Sequence, residues 1–165
     1  MDFSNPYYES NLVIVVRKVG ALANATSLAD VAAVAQNADV KISAQSGTFH
    51  DTVINQIANV EHGTPLEDFP TLIVALKANT ISGYIAEEPG AIADCQANSE
   101  FTYIHLVNND TGFTITDMSN VTLAIGLKKN SELLAKVNAA LATISVQQRQ
   151  DLMEEAITQA GLLTA

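Results

Sequence analysis

The sequence predicts an α/β domain: a mostly parallel open sheet with helices on both faces. The first observation behind this is alternation, since short β-branched apolar runs recur between segments of helical periodicity. The second is Leu12–Arg17 (LVIVVR), nearly all apolar, the pattern of a strand covered on both sides. The third is capacity: 165 residues with 48% hydrophobic content can bury a real core and do not describe a disordered chain.

After the first strand comes an Ala/Asn/Thr-rich turn, then a helix from Ser27 to Gln36, with Ser27 as cap and Asp30 completing a capping box. Asp39–Gln45 (DVKISAQ) is the second strand and runs through Ser46-Gly47-Thr48 into a helix, Phe49–Ala58, with Val53, Ile54 and Ile57 on one face. A short strand is expected around Val60. Pro65 suits a first helical turn, and Leu66–Ala78 sets Phe69, Leu72, Ile73 and Leu76 at helical spacing. Thr80–Ala86 (TISGYIA) is another short apolar run, and Glu87-Glu88-Pro89 opens a helix to Ala97. Two or three strands are expected in FTYIHLV, FTITD and VTLAIGLK between Phe101 and Lys128. Two helices in tandem end the chain: Asn130–Ile144, then Ser145–Ala160, with Ser145 and Gln148 as a second capping box and Gly161 as the stop.

Charge narrows the function. With 8 Lys+Arg against 18 Asp+Glu the net charge is −10. Nucleic acid is excluded as a partner, because binding it needs clustered cations, and so is adhesion to anionic lipid. Cys95 is the only cysteine, so no internal disulfide or CxxC site can form. Residues 1–8 are polar and aromatic, without the basic start and apolar run of a signal peptide. His50, His62 and His105 show no HExxH spacing and no neighbouring cysteine, so neither a metal site nor a cofactor is expected.

In a sheet of this class ligands meet the carboxyl ends of the strands. Two segments fall there. Gln45-Ser46-Gly47-Thr48 joins strand to helix: the glycine permits a tight turn, helix-start N–H groups face outward, and the Thr48 hydroxyl can donate to a carboxylate. The segment equally suits an ordinary capped helix, and no GKS or GKT follows it to make a phosphate loop. Glu87 and Glu88 end the strand TISGYIA; capping of the next helix explains them too. On one rim, an anion seat and a carboxylate match a zwitterion, the two ends of an amino acid. His50, in the first turn after Thr48, could face such a ligand, although a solvated helix position is the plainer expectation.

Several stretches together resemble the extracellular solute-binding proteins of polar amino-acid ABC transporters, especially the glutamine/glutamate type of Gram-positive bacteria. They are Phe3-Ser4-Asn5-Pro6-Tyr7-Tyr8, Ala44-Gln45-Ser46-Gly47-Thr48-Phe49-His50, Asp68-Phe69-Pro70-Thr71 with Ala75-Leu76, Ile81 through Pro89, and Leu127 through Leu133. The resemblance implies a periplasmic-binding-protein-like (type II) lobe plus C-terminal helices. Residues 1–10 would lead into the hinge, 11–110 would form the second, ligand-binding lobe, and 111–165 would return through the hinge into helices that normally pack on the first lobe. The main part of that first lobe, with its carboxylate-pairing arginine, is then missing from this chain.

The resemblance also assigns roles. Thr48 and the loop through Gly47 would hold the ligand carboxylate, Glu87 would receive the α-ammonium, Gln45 would line the cleft floor, and Phe49 and His50 are further ligand-side positions. The implied function is non-enzymatic: an amino acid such as glutamine or glutamate is bound for a membrane permease on the outer face of a Gram-positive cell, by a lipoprotein or a permease-fused domain. Three departures stand out: Ser82 replaces a frequent Asp, Asn79 a frequent Gly, and Glu88 an Arg of streptococcal-type relatives. The last favours an uncharged or cationic ligand side chain over an acidic one. Other readings on the same scaffold are a receptor's sensing ectodomain and a dehydratase with Glu87 as general acid/base. The unpartnered apolar faces of the last two helices are expected to fold back on the sheet or to pair with a second copy of the chain.

Overall fold

The computed structural model describes residues 1–163. In chain order the strands are β1 (Asp2–Phe3), β2 (Tyr8–Glu9), β3 (Leu12–Arg17), β4 (Lys41–Ser43), β5 (Glu61–His62), β6 (Gly83–Glu87), β7 (Phe101–Ile104), β8 (Thr122–Leu123) and β9 (Gly126–Leu127). The helices are α1 (Leu28–Ala35), α2 (Phe49–Val53), α3 (Phe69–Lys77), α4 (Glu88–Ala97), α5 (Leu133–Ala142) and α6 (Val146–Leu163). The chain divides into two compact units, Asn11–Thr116 and Met1–Ser10 with Asp117–Ala165.

The larger unit is a five-stranded sheet in the order β5-β4-β6-β3-β7. β4 runs parallel to both β5 and β6, whereas β3 is antiparallel to its neighbours β6 and β7. The sheet is therefore mostly parallel, with one reversed strand near its centre. Alternation of strands and helices does not carry direction, so the reversal of β3 could not be read from it. Its burial could: Leu12 through Val16 are all buried. Val13 and Val15 join Leu72 and Leu76 of α3, Tyr84 and Ala86 of β6, Ala91 of α4 and Phe101 of β7 in one core cluster. Gly83 lies so close to β3 that a Cβ there would stand 2.9 Å from the Val15 carbonyl oxygen.

Local signals explain most element ends and correct some expectations. Ser27 caps α1 by accepting from the Asp30 N–H, while the Asp30 carboxylate accepts from the Thr26 N–H and hydroxyl. Leu66–Ala78 is not one helix. Asp68 caps α3 through the Thr71 N–H, and it is Pro70, not Pro65, that occupies the first turn. Residues up to Leu66 instead extend the sheet, since Leu66 N–H donates to Ala44 O and Ser46 N–H to Leu66 O. Asn79, after the C-cap of α3, adopts φ 62°, the left-handed conformation that asparagine tolerates next best after glycine. Ser82 accepts from the Lys41 N–H through its hydroxyl, tying β4 to β6 at their starts.

FTITD is not a strand: Thr114 pairs its backbone with the Gln56 side chain amide, and the Ile115 N–H goes to the Asn109 side chain. Those bonds replace a ladder. VTLAIGLK splits into the two short strands β8 and β9.

In the smaller unit β1 pairs with β9 and β2 with β8, both antiparallel, and α5 and α6 belong to the same unit. α5 begins at Leu133, three residues after the expected Asn130, which takes φ 59°. Ser145 and Gln148 form both halves of a capping box at α6. Gly161 does not stop that helix, which runs on to Leu163; a glycine inside a helix costs about 1 kcal/mol but does not forbid it. Val121 is the one buried apolar side chain of this unit among the described residues. Tyr7, Tyr8, Ile125, Leu141, Ile144 and Leu152 line an open apolar groove of about 460 Å³.

Candidate functional site

β4 and β6 are parallel neighbours, with Ile42 opposite Gly83 and Ser43 opposite Tyr84. Their carboxyl ends share one rim. β4 ends at Ser43 and β6 at Glu87, so the loop Ala44–Thr48 and Glu87 leave the sheet at the same rim. The loop after β4 is held from its other side, where Gln45 forms a parallel bridge with Leu66 and its side chain amide donates to Glu67 O at 3.2 Å. Gly47 then turns the chain with φ 73°, a left-handed conformation that favours glycine. α2 follows at once, and it packs against β6.

The sequence-derived site residues are placed as follows. Thr48 sits at the N-cap of α2 with extended backbone, but its side chain does not cap the helix. Its hydroxyl donates to Gln45 O at 2.8 Å, so the proton expected to serve a ligand carboxylate is already committed within the loop. Of the first-turn N–H groups of α2, that of Asp51 donates to Thr48 O at 3.4 Å, and those of Phe49 and His50 are the better candidate donors for an anion. Glu87 ends β6, half-exposed, with its carboxylate Oε1 3.5 Å from His50 Nε2. This contact with His50 holds the Glu87 carboxyl below the usual range, against the opposing effect of its partial burial. Phe49, by contrast, lines a groove of about 580 Å³ with Leu28, Val53, Gln56 and Thr114, a wall that includes none of the other site residues.

His50 corrects the sequence reading. It is buried at 6% exposure rather than solvated, and it contacts Phe69 edge-on at 6.4 Å between ring centroids. A signal for this was present: His50 stands three and four residues before Val53 and Ile54, the spacing of the apolar face. Its Nδ1 is buried without a hydrogen-bond partner.

Glu88, next to Glu87, points elsewhere, to His105 Nδ1 at 2.7 Å and the Asn11 side chain amide at 3.4 Å. His62, at the end of β5, bonds Asp51 of α2 at 2.7 Å. Burial pushes the Cys95 thiol up to about 11, so it is not a reactive thiolate at neutral pH.

Charge is segregated between the two rims of the larger unit. Its four Lys and Arg residues are Arg17, Lys18, Lys41 and Lys77. Arg17 ends the reversed strand and donates to Leu76 O and Ile81 O; Lys18 N–H donates to Glu100 O, just before β7. Lys41 starts β4 and pairs with Glu61, and Lys77 pairs with Glu100. All four belong to the amino-terminal rim. The carboxyl-terminal rim carries Asp51, Glu67, Asp68, Glu87 and Glu88, which leaves it with a negative field.

No family model matches the chain, and no curated protein does. Solved structures do. The chain is similar to the amino-acid ABC transporter substrate-binding protein AbpA of Streptococcus pneumoniae bound to L-arginine, at 23% identity, 97% of this chain, 62% of that one and TM-score 0.64. It is similar to an ancestral arginine-binding protein bound to arginine, at 25% identity, 94% of this chain, 63% of that one and TM-score 0.58. It is also similar to the GluR0 ligand-binding core in complex with L-glutamate, at 15% identity, 96% of this chain, 61% of that one and TM-score 0.59. These likenesses establish a periplasmic-binding-protein-like fold. The chain spans a little over three fifths of the length of these neighbours. Among the described residues, no helix is long and apolar enough to cross a membrane.

Proposed function

We propose that this chain is an amino-acid-binding lobe of the solute-binding component of an ABC importer. In this reading Asn11–Thr116 is the second lobe, and the short strand pairs with α5 and α6 form the hinge and the segment that seats a first lobe. The observation that carries it is the shared rim: the glycine turn and first turn of α2 beside the half-exposed, ionised Glu87. Backbone donors after Gly47 for a carboxylate, and Glu87 as acceptor for an ammonium, on one rim support a ligand that carries both groups. The fold shared with arginine- and glutamate-bound proteins supports the same reading. The protein acts by closing on its ligand between two lobes and then docking on a permease at the outer face of the membrane, as a lipoprotein or permease-fused domain of a Gram-positive bacterium.

Within the glutamine/glutamate type, the negative rim supports glutamine over glutamate, and a cationic side chain over either. Glu88, where a relative's arginine would pair with an acidic ligand, is bound to His105 and adds to that field. A ligand-sensing receptor ectodomain remains the second reading, favoured by the similarity to the GluR0 core. A flanking reading frame that encodes a channel or kinase rather than a permease separates the two.

One lobe supplies about half of the contacts. A complete binder at 1 μM is worth about −8 kcal/mol, and half of that corresponds to a Kd of about 1 mM. Fixed association costs make this an optimistic figure. Titration of the ¹⁵N-labelled chain with L-arginine and L-glutamine should shift the amides of residues 45–50 and 86–88 with millimolar affinity. Shifts confined to other residues contradict the reading, and micromolar binding contradicts the half-site.

A further inference from the structure

We infer that His50 is a positioning residue for Glu87, holding its carboxylate where it meets a ligand ammonium. The inference rests on the amino-acid-binding reading above. His50 is buried on the side of α2 that also buries Val53 and leads into buried Ile54. The imidazole leaves Nδ1 buried with no partner. An unmet buried polar atom calls for an explanation, and the fold itself gains nothing from this one.

What the ring does provide is Nε2, 3.5 Å from Glu87 Oε1, with the Phe69 edge fixing its plane. Glu87 has no other hydrogen-bond partner among the described residues, so His50 alone sets the orientation of this half-exposed carboxylate.

The orphan also selects the form of the ring. Hydrogen on Nε2 satisfies Glu87 and leaves only a lone pair unmet at Nδ1. Hydrogen on Nδ1 would bury a donor with nothing to accept it, at greater cost. A proton on Nε2 is therefore what the geometry fits. Nε2 engages the carboxylate at Oε1 and leaves Oε2 to the ligand.

The test uses L-arginine and 5-guanidinopentanoic acid, the same molecule without its α-ammonium, titrated by NMR into the chain and into His50→Phe and His50→Gln. Phenylalanine keeps the packing and loses the donor; glutamine carries an N–H to nearly the same point. His50→Phe should weaken L-arginine about fivefold, the order expected for one hydrogen bond at a half-exposed carboxylate, and leave the des-amino acid within about twofold. His50→Gln should restore L-arginine to within about twofold of the parent chain. Equal loss for both ligands, or no loss for either, overturns the positioning role. If the parent chain binds the two ligands equally, the Glu87–ammonium reading has failed instead. A ligand-free check is the long-range ¹H–¹⁵N spectrum of the histidine rings: a proton on Nε2 of His50 is expected, and a proton on Nδ1 overturns the inference.

Discussion

Replacing Tyr84 by phenylalanine removes one oxygen from the core and nothing else. Tyr84 is fully buried on β6, and its hydroxyl donates to the Asp94 carboxylate of α4 at 2.6 Å. Burial and the bond to Asp94 both push the phenol upward, so it stays protonated at any working pH. Asp94 is itself pushed up by burial, and the Tyr84 hydrogen bond pulls against that shift. A hydrogen bond to a charged group is worth about 1.5–3 kcal/mol when buried; because Asp94 is half-exposed the expected loss is about 1–2 kcal/mol. For a unit of about 100 residues this lowers the melting temperature by about 5–10 °C.

The pH dependence adds a second signature. With its folded pKa raised, Asp94 opposes folding above that value, and the penalty fades as pH falls through it. Removing the hydroxyl raises the Asp94 pKa further, so Tyr84→Phe should destabilise more at pH 7 than near pH 4. Urea unfolding followed by circular dichroism at the two pH values measures both effects. A loss under 0.5 kcal/mol at pH 7, or one that grows on acidification, would falsify the assigned hydrogen bond.

Gly83→Ala should cost about 1–3 kcal/mol in the same assay, because the added carbon would press on the Val15 carbonyl across the sheet; an unchanged midpoint contradicts the close approach. Glu87, with its folded pKa depressed by His50, stabilises the fold above the ordinary glutamate value of 4.5, and that contribution is lost as pH falls through the lower folded value. Glu87→Gln should therefore flatten the stability profile in this acid window, and an unchanged profile removes the His50–Glu87 bond from the account. The negative rim should make L-arginine bind several-fold tighter than its neutral isostere L-citrulline at low salt, with the gap narrowing as salt screens the field. Equal affinities would show that the rim's charge does not reach the ligand side chain.

Much of the fold was legible because burial and capping leave local traces. Leu12–Arg17 announced a doubly covered strand, Ser27 a helix start, and Ser145 with Gln148 another. Strand direction leaves no such trace, so the reversal of β3 appears only in the pairing register. Pro65 suggested a helix start too early; the start is set by Asp68, whose side chain reaches the Thr71 N–H, with Pro70 in the first turn. FTITD looked like a strand because its residues suit one, yet the Gln56 and Asn109 side chains supply its backbone partners from a distance in sequence that no local pattern reveals.

The rim itself followed from the order of elements. What it does in detail did not: the Thr48 hydroxyl turns inward to Gln45 O, and His50 lies beneath Glu87 rather than in solvent. The helical spacing of His50, Val53 and Ile54 was sufficient to foresee the second of these, but its polarity argued the other way.

The central claim is that one zwitterion is held by the first turn of α2 and by Glu87 together. Its most direct test is a crystal structure of the protein with an amino acid bound. The account predicts the ligand carboxylate within hydrogen-bond distance of the backbone N–H groups that follow Gly47, and the ammonium within about 3 Å of Glu87. A ligand that leaves either contact unmade, or that binds at another rim of the sheet, contradicts it.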